Sequence, residues 1–127
     1  MSKELGSQRL IDEDGTIVHP AGSTAEEDLL IIEAYGATFS LTTVNLDLSN
    51  LTQNATLRVY YKIDGINYRR RFGTGATGGV VSWTTADGPW LAILLNGVWD
   101  HDIKITIQSA VAEAAPQDIP YSYVGAR

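Results

Sequence analysis

The sequence predicts a single all-β domain, an antiparallel β-sandwich or jelly roll, with a β-barrel as the alternative. Apolar and polar residues alternate along several segments, as they do in strands with one buried face. Turn-forming pairs such as Asp-Gly and Asn-Gly recur between these segments, and no window shows the 3.6-residue apolar period of a helix. A chain of 127 residues can bury a sizeable core. We therefore expect about seven to nine short strands in residues 10–127.

The N-terminal residues 1–9 are polar and contain no segment that could anchor a strand to a core. They also lack the apolar region of a signal peptide, and no later stretch approaches the ~20 apolar residues of a membrane span. We expect synthesis in the cytoplasm, no membrane contact, and a flexible arm that orders against a partner. The arm residues expected to make that contact are Lys3, Glu4, Leu5 and Arg9.

The first half of the domain is expected to contain four strands or more. Leu10–Val18 is predicted to form a short hairpin that turns at Asp14-Gly15, because Asp-Gly supplies the positive φ of tight turns. Residues 28–35 are predicted to form a buried strand, although the acidic residues 26–28 also suit the first turn of a helix. Alternation in residues 38–48 slips by one at Thr42-Thr43, which predicts a β-bulge.

The strongest hairpin signal lies in residues 56–72, with a two-residue turn at Asp64-Gly65. Such a turn pairs Tyr61 with Tyr68 and Val59 with Arg70 on a mainly apolar face. The opposite face is then predicted to carry Arg58, Tyr60, Lys62, Arg69 and Arg71.

The second half continues with strands and turns. Residues 73–79, GTGATGG, are predicted to form a flexible loop, followed by strands at 80–85 and 90–95. Asn96-Gly97 is predicted to be another hairpin turn. Isoleucines alternate with polar residues in 103–108, which predicts a strand buried on one side. A mobile segment at 110–117 and a closing strand at 119–124 complete the domain.

The basic face of the hairpin is unexpected in a chain of net charge −6. The first interpretation is a solvated face whose charges are screened by salt. The second is a contact with an acidic partner, because Arg58 opposite Arg71 would otherwise be repulsive. A sequence pI of about 4.7 argues against nucleic acid. The partner is therefore expected to be an acidic protein surface, including that of a second copy of this chain.

Other candidate sites are weaker. The absence of cysteine excludes disulfides and thiolate chemistry. Asp100 and Asp102 share one strand face, which weakly suggests a cation but better fits a solvated strand end. The glycine-rich loop lacks the Lys-Ser/Thr of a nucleotide site, and no pattern supports a Ser-His-Asp hydrolase. We expect no catalytic residue, cofactor or metal.

The three tryptophans leave one alternative function open. Trp83, Trp90 and Trp99 flank turns, where exposed rings would suit a carbohydrate-binding module. Alternatively, each ring fills the core between the sheets.

The run LDLSNLTQNATLRVYYKIDGINYRRR (residues 46–71), followed by a glycine-rich loop and an alternating isoleucine strand, resembles small β-sandwich structural proteins of tailed bacteriophages. The resemblance extends over roughly residues 28–124 in hairpin pattern. It implies a non-enzymatic virion protein, such as a capsid decoration protein or a small tail or head-completion protein. The expected partners are then the major capsid protein or another virion protein, and other copies of the chain.

Overall fold

The computed structural model describes residues 10–127, which form nine β-strands in two packed sheets. No helix occurs in this part of the chain, so the predicted all-β sandwich is confirmed, in one small domain. The predicted arm, residues 1–9, lies outside the described residues. The strands are β1 (Leu10–His19), β2 (Glu27–Ile32), β3 (Phe39–Asp47), β4 (Ala55–Tyr61), β5 (Arg69–Arg70), β6 (Val80–Trp83), β7 (Trp90–Trp99), β8 (Ile103–Ser109) and β9 (Gln117–Ala126).

The chain alternates between the two sheets. The β1 sheet has the order β1-β9-β3-β7, and the β2 sheet has the order β2-β8-β4-β5, with β6 also paired to β4. Every pairing between these named strands is antiparallel. Among the described strands, only β4, β5 and β6 follow one another within the same sheet, so the other connections cross from one sheet to the other. The same region contains no helix of the length and apolarity needed to span a membrane.

A single core lies between the sheets. Phe39, Val44 and Leu46 on β3 and Ile105 and Ile107 on β8 are buried in it. Burial of each such side chain stabilises the fold by about 1.5–3 kcal/mol. Thr106, between the two isoleucines, lies on the opposite face of β8, where Glu26 covers it. The alternating isoleucines of residues 103–108 therefore form the predicted half-buried strand.

The predicted bulge in β3 is confirmed. The register of β3 against β9 shifts by one residue between Leu41 and Val44, the segment that contains Thr42 and Thr43. This extra residue keeps apolar side chains facing the core on both sides of the slip.

Two predicted hairpin turns are wrong, because β1 and β7 are continuous strands of 10 residues each. Gly15 lies mid-strand opposite Tyr121, and a Cβ there would come within 2.9 Å of the Tyr121 hydroxyl oxygen. Gly97 pairs with Leu41 beside a register shift between β3 and β7. Gly15 allows the close approach of Tyr121, and Gly97 lies in an irregular part of its strand. Neither Asp14-Gly15 nor Asn96-Gly97 therefore turns the chain.

The hairpin of residues 56–72 forms with a different register from the predicted one. Tyr60 pairs with Arg70 and Tyr61 with Arg69, whereas the two-residue turn predicted Tyr61 opposite Tyr68. The connection is longer because the Asp64 carboxylate accepts hydrogen bonds from the backbone N–H groups of Ile66 and Asn67. A slip of one residue exchanges the two faces of a strand, so the predicted faces of Arg69, Arg70 and Arg71 are wrong, whereas Arg58 shares a face with Tyr60 as predicted.

The glycine-rich segment 73–79 connects the sheets. The backbone N–H of Leu94 on β7 donates to the Ala76 carbonyl at 2.9 Å, and the N–H of Gly79 donates to the Gly73 carbonyl. A Cβ on Gly79 would lie 1.7 Å from the Arg71 carbonyl oxygen. This loop, predicted to be flexible, is held by backbone hydrogen bonds, and its glycines permit close packing.

Candidate interaction surfaces

The outer face of the β2 sheet is the face on which we expected the basic residues of the 56–72 hairpin. Its strand register aligns Ile31, Lys104, Tyr60 and Arg70 in one row across four strands. The neighbouring row contains Asp28, Thr106 and Arg58. These two rows contain the basic residues Lys104, Arg70 and Arg58 and the acidic Asp28, with Tyr60 among them.

Glu26 organises the charges of this face. Its carboxylate accepts hydrogen bonds from the hydroxyls of Tyr60 and Thr106, each at 2.5 Å, and lies 3.6 Å from the Arg58 guanidinium. Burial opposes ionisation of Glu26, but the hydrogen bonds and the charges of Arg58 and Lys104 outweigh it and lower its pKa. Burial, with the adjacent Glu26, raises the pKa of Tyr60. Arg58 is thus largely satisfied inside the protein.

The two lysines near Tyr60 are also paired within the molecule. Lys62 Nζ lies 3.7 Å from an Asp102 carboxylate oxygen, and Lys104 Nζ lies 3.3 Å from Asp28. Both ammonium groups approach the Tyr68 ring, at 4.9 and 4.5 Å from its centroid. Partly exposed pairs of this kind contribute little stability each, but they cancel most of the face's positive potential.

Arg71 does not belong to this face. Its guanidinium donates to the Leu94 carbonyl of the opposite sheet at 2.9 Å. Arg69 and Arg70 are exposed and form no ion pair with residues 10–127. The structure therefore brings Arg58, Tyr60 and Lys62 near one another but separates them from Arg71. The arm residues Lys3, Glu4, Leu5 and Arg9 lie outside the described part of the chain.

The β4–β5 hairpin and the residues just after it expose several apolar and cationic side chains. Ile63, Ile66 and Phe72 are 67%, 76% and 97% exposed. We call the set Ile63, Ile66, Arg69, Arg70 and Phe72 the hairpin tip surface.

The connection of the hairpin is fixed by local hydrogen bonds. The N–H groups of Asn67 and Ile66, both donating to Asp64, lower the pKa of its carboxyl group to about 2. Gly65, at φ 75°, adopts a backbone conformation that favours glycine, and a Cβ there would lie 3.0 Å from the His101 ring. Ile63 and Ile66 of the hairpin tip surface therefore lie on a defined loop, next to Arg69 and Arg70 on β5.

The outer face of the β1 sheet contains a shallow groove of about 710 Å³. Its lining includes Asp14, Asn45, Asp47, Trp90 and Ser122. Trp90 is 74% exposed. By contrast, Trp83 lies in the core, and Trp99 packs at its margin against Tyr61, with ring centroids 5.0 Å apart. Only Trp90 is strongly exposed among the three tryptophans.

A buried polar cluster lies between the sheets at one end of β1. His19 Nε2 is 2.6 Å from the Ser109 hydroxyl, and burial lowers the pKa of His19 against the opposing charges of Glu113 and Glu27. The Glu113 carboxylate accepts hydrogen bonds from Thr52 and Gln53 rather than from His19. His19, Ser109 and Glu113 are each at most 3% exposed, so Ser109 is not accessible to a substrate.

Asp100 and Asp102, which the sequence only weakly suggested as cation ligands, contact protein groups instead. Asp102 accepts the N–H of Ala34 at 2.8 Å and pairs with Lys62, whereas Asp100 accepts the Tyr61 hydroxyl. Within residues 10–127 no cluster of three or more histidine, aspartate or glutamate side chains is arranged to hold a metal ion.

No family model and no curated protein matches the chain. Solved structures share its fold at low identity. A Bacillus endospore appendage structure, described as a disulfide-linked pilus, has a TM-score of 0.52 and 11% identity over 95% of this chain and 89% of its own. The Yersinia pseudotuberculosis-derived mitogen has a TM-score of 0.49 and 12% identity over 92% and 86% of the two chains.

The VP2 subviral particle of infectious bursal disease virus has a TM-score of 0.49 and 14% identity over 98% of this chain but 33% of VP2. At 11% identity, the endospore appendage structure indicates a similar fold alone. The chain's own strands form an all-β, two-sheet sandwich, and the chain lacks the cysteines that disulfide-linked pili require.

Several important residues were not identified from the sequence. Lys104 and Arg70 flank Tyr60, and Glu26 joins Tyr60 to Arg58. Lys104 alternates with buried isoleucines, a signal that it faces outward, but its pairing with Tyr60 depends on strand order. Glu113 lies in a segment of small residues, and nothing in that segment indicated that its side chain is buried.

Proposed function

We propose that this protein is a non-enzymatic virion structural protein of a tailed bacteriophage, most specifically a capsid decoration protein. In this role many copies attach to the major capsid lattice, so the protein resides in the virion after synthesis in the host cytoplasm. The observation that carries the proposal is the hairpin tip surface. It combines an almost fully exposed Phe72 with Arg69 and Arg70, which are exposed on the same hairpin.

The chemistry of the hairpin tip surface suits a protein partner. Aromatic residues and arginine are enriched in protein–protein interfaces and dominate their binding energy. An acidic, partly apolar surface on the capsid would complement Phe72 and the two arginines. Nucleic acid is less suitable, because Arg58, Lys62 and Lys104 are neutralised by carboxylates of this chain and phosphate binding requires available cations.

The fold is compatible with more than one position in a virion. A small tail or head-completion protein would use the same kind of surface, but in few copies. Contacts between copies of this chain would accompany either role. Copy number per particle therefore distinguishes the decoration protein from the alternatives.

The proposal is tested by sedimentation with undecorated capsids made from the major capsid protein of the phage proposed to encode this chain. We expect saturable co-sedimentation at a fixed ratio of copies to capsid subunits. Phe72→Ser and the double variant R69Q/R70Q should each weaken binding at least tenfold, since central interface residues contribute more than about 1.4 kcal/mol. The double variant should also show a weaker dependence on salt.

Val111→Ser is the matched control, because Val111 is an exposed apolar residue on a distant loop. It should bind like the unmodified protein. Absence of saturable binding to these capsids would overturn the decoration role. Full binding by Phe72→Ser and R69Q/R70Q would show that the hairpin tip surface is not the contact.

A further inference from the structure

The groove on the outer face of the β1 sheet extends across all four strands. Trp90 on β7 lies opposite Asp47 on β3, next to Asn45. Pro120 and Ser122 on β9 form the middle of the groove. Its far end is formed on β1, where Thr16 pairs with Pro120 and Asp14 with Ser122. Three strand spacings make this distance about 14 Å, which is longer than one sugar ring.

Trp90 is both exposed and fixed. Its indole Nε1–H donates to the Asn45 amide oxygen at 2.8 Å, although 74% of the residue is accessible to solvent. A tryptophan held by its polar edge leaves apolar ring surface available to a ligand. Because the ring is already oriented, a ligand that stacks on it loses less conformational entropy on binding.

The polar groups of the groove include two carboxylates, which only accept hydrogen bonds, from Asp14 and Asp47. Asn45 contributes an amide, and Thr16 and Ser122 contribute hydroxyls, which both donate and accept. No lysine, arginine or histidine is among the lining residues. The carboxylates can accept hydrogen bonds from sugar hydroxyl groups, whereas anionic ligands would be repelled. Because the groove is open and contains two carboxylates, it gives little burial to a lipid chain.

We propose that this groove binds a neutral oligosaccharide, with one sugar ring stacked on Trp90 and hydroxyl groups donating to Asp14 and Asp47. The site is separate from the hairpin tip surface and adds glycan binding to a structural role. On a virion, such a site would attach the particle to a host or environmental polysaccharide.

A second copy of this chain is a less suitable occupant of the groove. The apolar part of the same sheet face lies at its other end, where Val98 pairs with Ser40 on β3 and Leu10 with Ala126 on β9. Ser40 and Asp47 are separated along β3 by about 24 Å at 3.4 Å per residue. Contact between copies through apolar surface would therefore form away from Trp90.

The test uses a panel of neutral soluble polysaccharides, comprising β-glucan, xylan, galactomannan and dextran, in affinity gel electrophoresis, together with an array of neutral oligosaccharides. We expect retardation by at least one glycan and a blue shift of tryptophan emission on binding. Trp90→Ala should weaken binding at least tenfold while leaving the far-ultraviolet circular dichroism unchanged. Tyr35→Ala is the control, because Tyr35 is an equally exposed aromatic residue outside the groove.

Three results would overturn the proposal: no binding to any glycan of the panel or array, binding that Trp90→Ala retains, or a change of oligomeric state in Trp90→Ala without glycan binding. The last result, seen by sedimentation velocity, would assign the groove to contacts between copies. Phe72→Ser should retain glycan binding, so failure of this site and failure of capsid attachment are distinguishable.

Discussion

The outer faces of the two sheets differ in which charged residues they carry and in how those residues are paired. On the β2 sheet and its margin, Arg58, Lys62 and Lys104 each lie within 4 Å of a carboxylate of the same chain. The four strands of the β1 sheet contain no lysine or arginine, and their exposed acids include Asp12, Asp14 and Asp118. The face rich in charge is therefore nearly neutral, whereas the face with few charges is acidic.

This difference separates the charge of a sequence segment from the charge that a partner meets. The arginine-rich hairpin predicts a basic sheet face. In the structure, Glu26, just before β2, pairs with Arg58, and Asp28, on β2, pairs with Lys104. These pairs neutralise much of the positive charge of that face. Within residues 10–127, no carboxylate forms an ion pair with Arg69 or Arg70. We therefore expect binding at strongly exposed side chains, at the hairpin tip surface and around Trp90, rather than on the charged sheet face.

Among the acidic residues compared below, the buried Glu113 is expected to contribute most to the stability of the fold. The Glu113 carboxylate accepts hydrogen bonds from the N–H groups of Thr52 and Gln53 and from the Thr52 hydroxyl. Glu113→Ala leaves these donors without an acceptor, so we expect a loss of about 3 kcal/mol or more in unfolding free energy. Urea unfolding followed by tryptophan fluorescence measures this loss.

Glu113→Gln keeps one acceptor and should lose less than the alanine variant. It also gives a folded reference if Glu113→Ala does not fold. A loss below 1 kcal/mol in Glu113→Ala would show that water replaces the carboxylate, contrary to its burial.

The next largest effect compares one acid from each outer face. Glu26→Gln weakens hydrogen bonds from Tyr60 and Thr106 and removes the partner of Arg58, so we expect a loss of about 1 kcal/mol at this partly exposed position. Asp14→Asn, on the β1 sheet, should change stability by less than about 0.5 kcal/mol. Equal losses in the two variants, measured by urea unfolding, would contradict the contrast between the faces.

The sequence predicted the elements that depend on local pattern. The slip in alternation at Thr42-Thr43 was sufficient to place the bulge of β3, and the isoleucines of residues 103–107 were sufficient to place β8. Period-two alternation reports directly which side chains face a core. The fold class follows from the same pattern.

The failures have two physical causes. First, an Asp-Gly pair has several uses: Gly65 turns the chain at positive φ, whereas Gly15 lies mid-strand against Tyr121. Second, the candidate sites depend on pairings between distant strands. Tyr60 meets Lys104, and Asp14 meets Ser122, and no local pattern determines strand order. The exposure of Trp90 and the burial of Glu113 follow from the same long-range order.

The smallest effect concerns the loop that contains Ile63 and Ile66 of the hairpin tip surface. Ionised Asp64 accepts the N–H groups of Ile66 and Asn67, which lowers its pKa to about 2 from the usual 3.8. A lowered pKa means that the stabilisation is present above pH 3.8 and is lost as the pH falls through about 2. We expect the loop to loosen in this window while the β2 sheet stays intact.

Amide hydrogen exchange tests this expectation. Corrected for intrinsic rates, protection of the Ile66 and Asn67 amides should fall between pH 4 and pH 2, and the Ile105 amide in β8 should report whether the sheet remains folded. In Asp64→Ala, both loop amides should exchange rapidly at pH 4 and change little on acidification. Loss of protection at Ile105 together with the loop would contradict a local effect, because the whole sandwich would then be opening. A local loss would instead link the order of the hairpin tip surface to one exposed carboxylate.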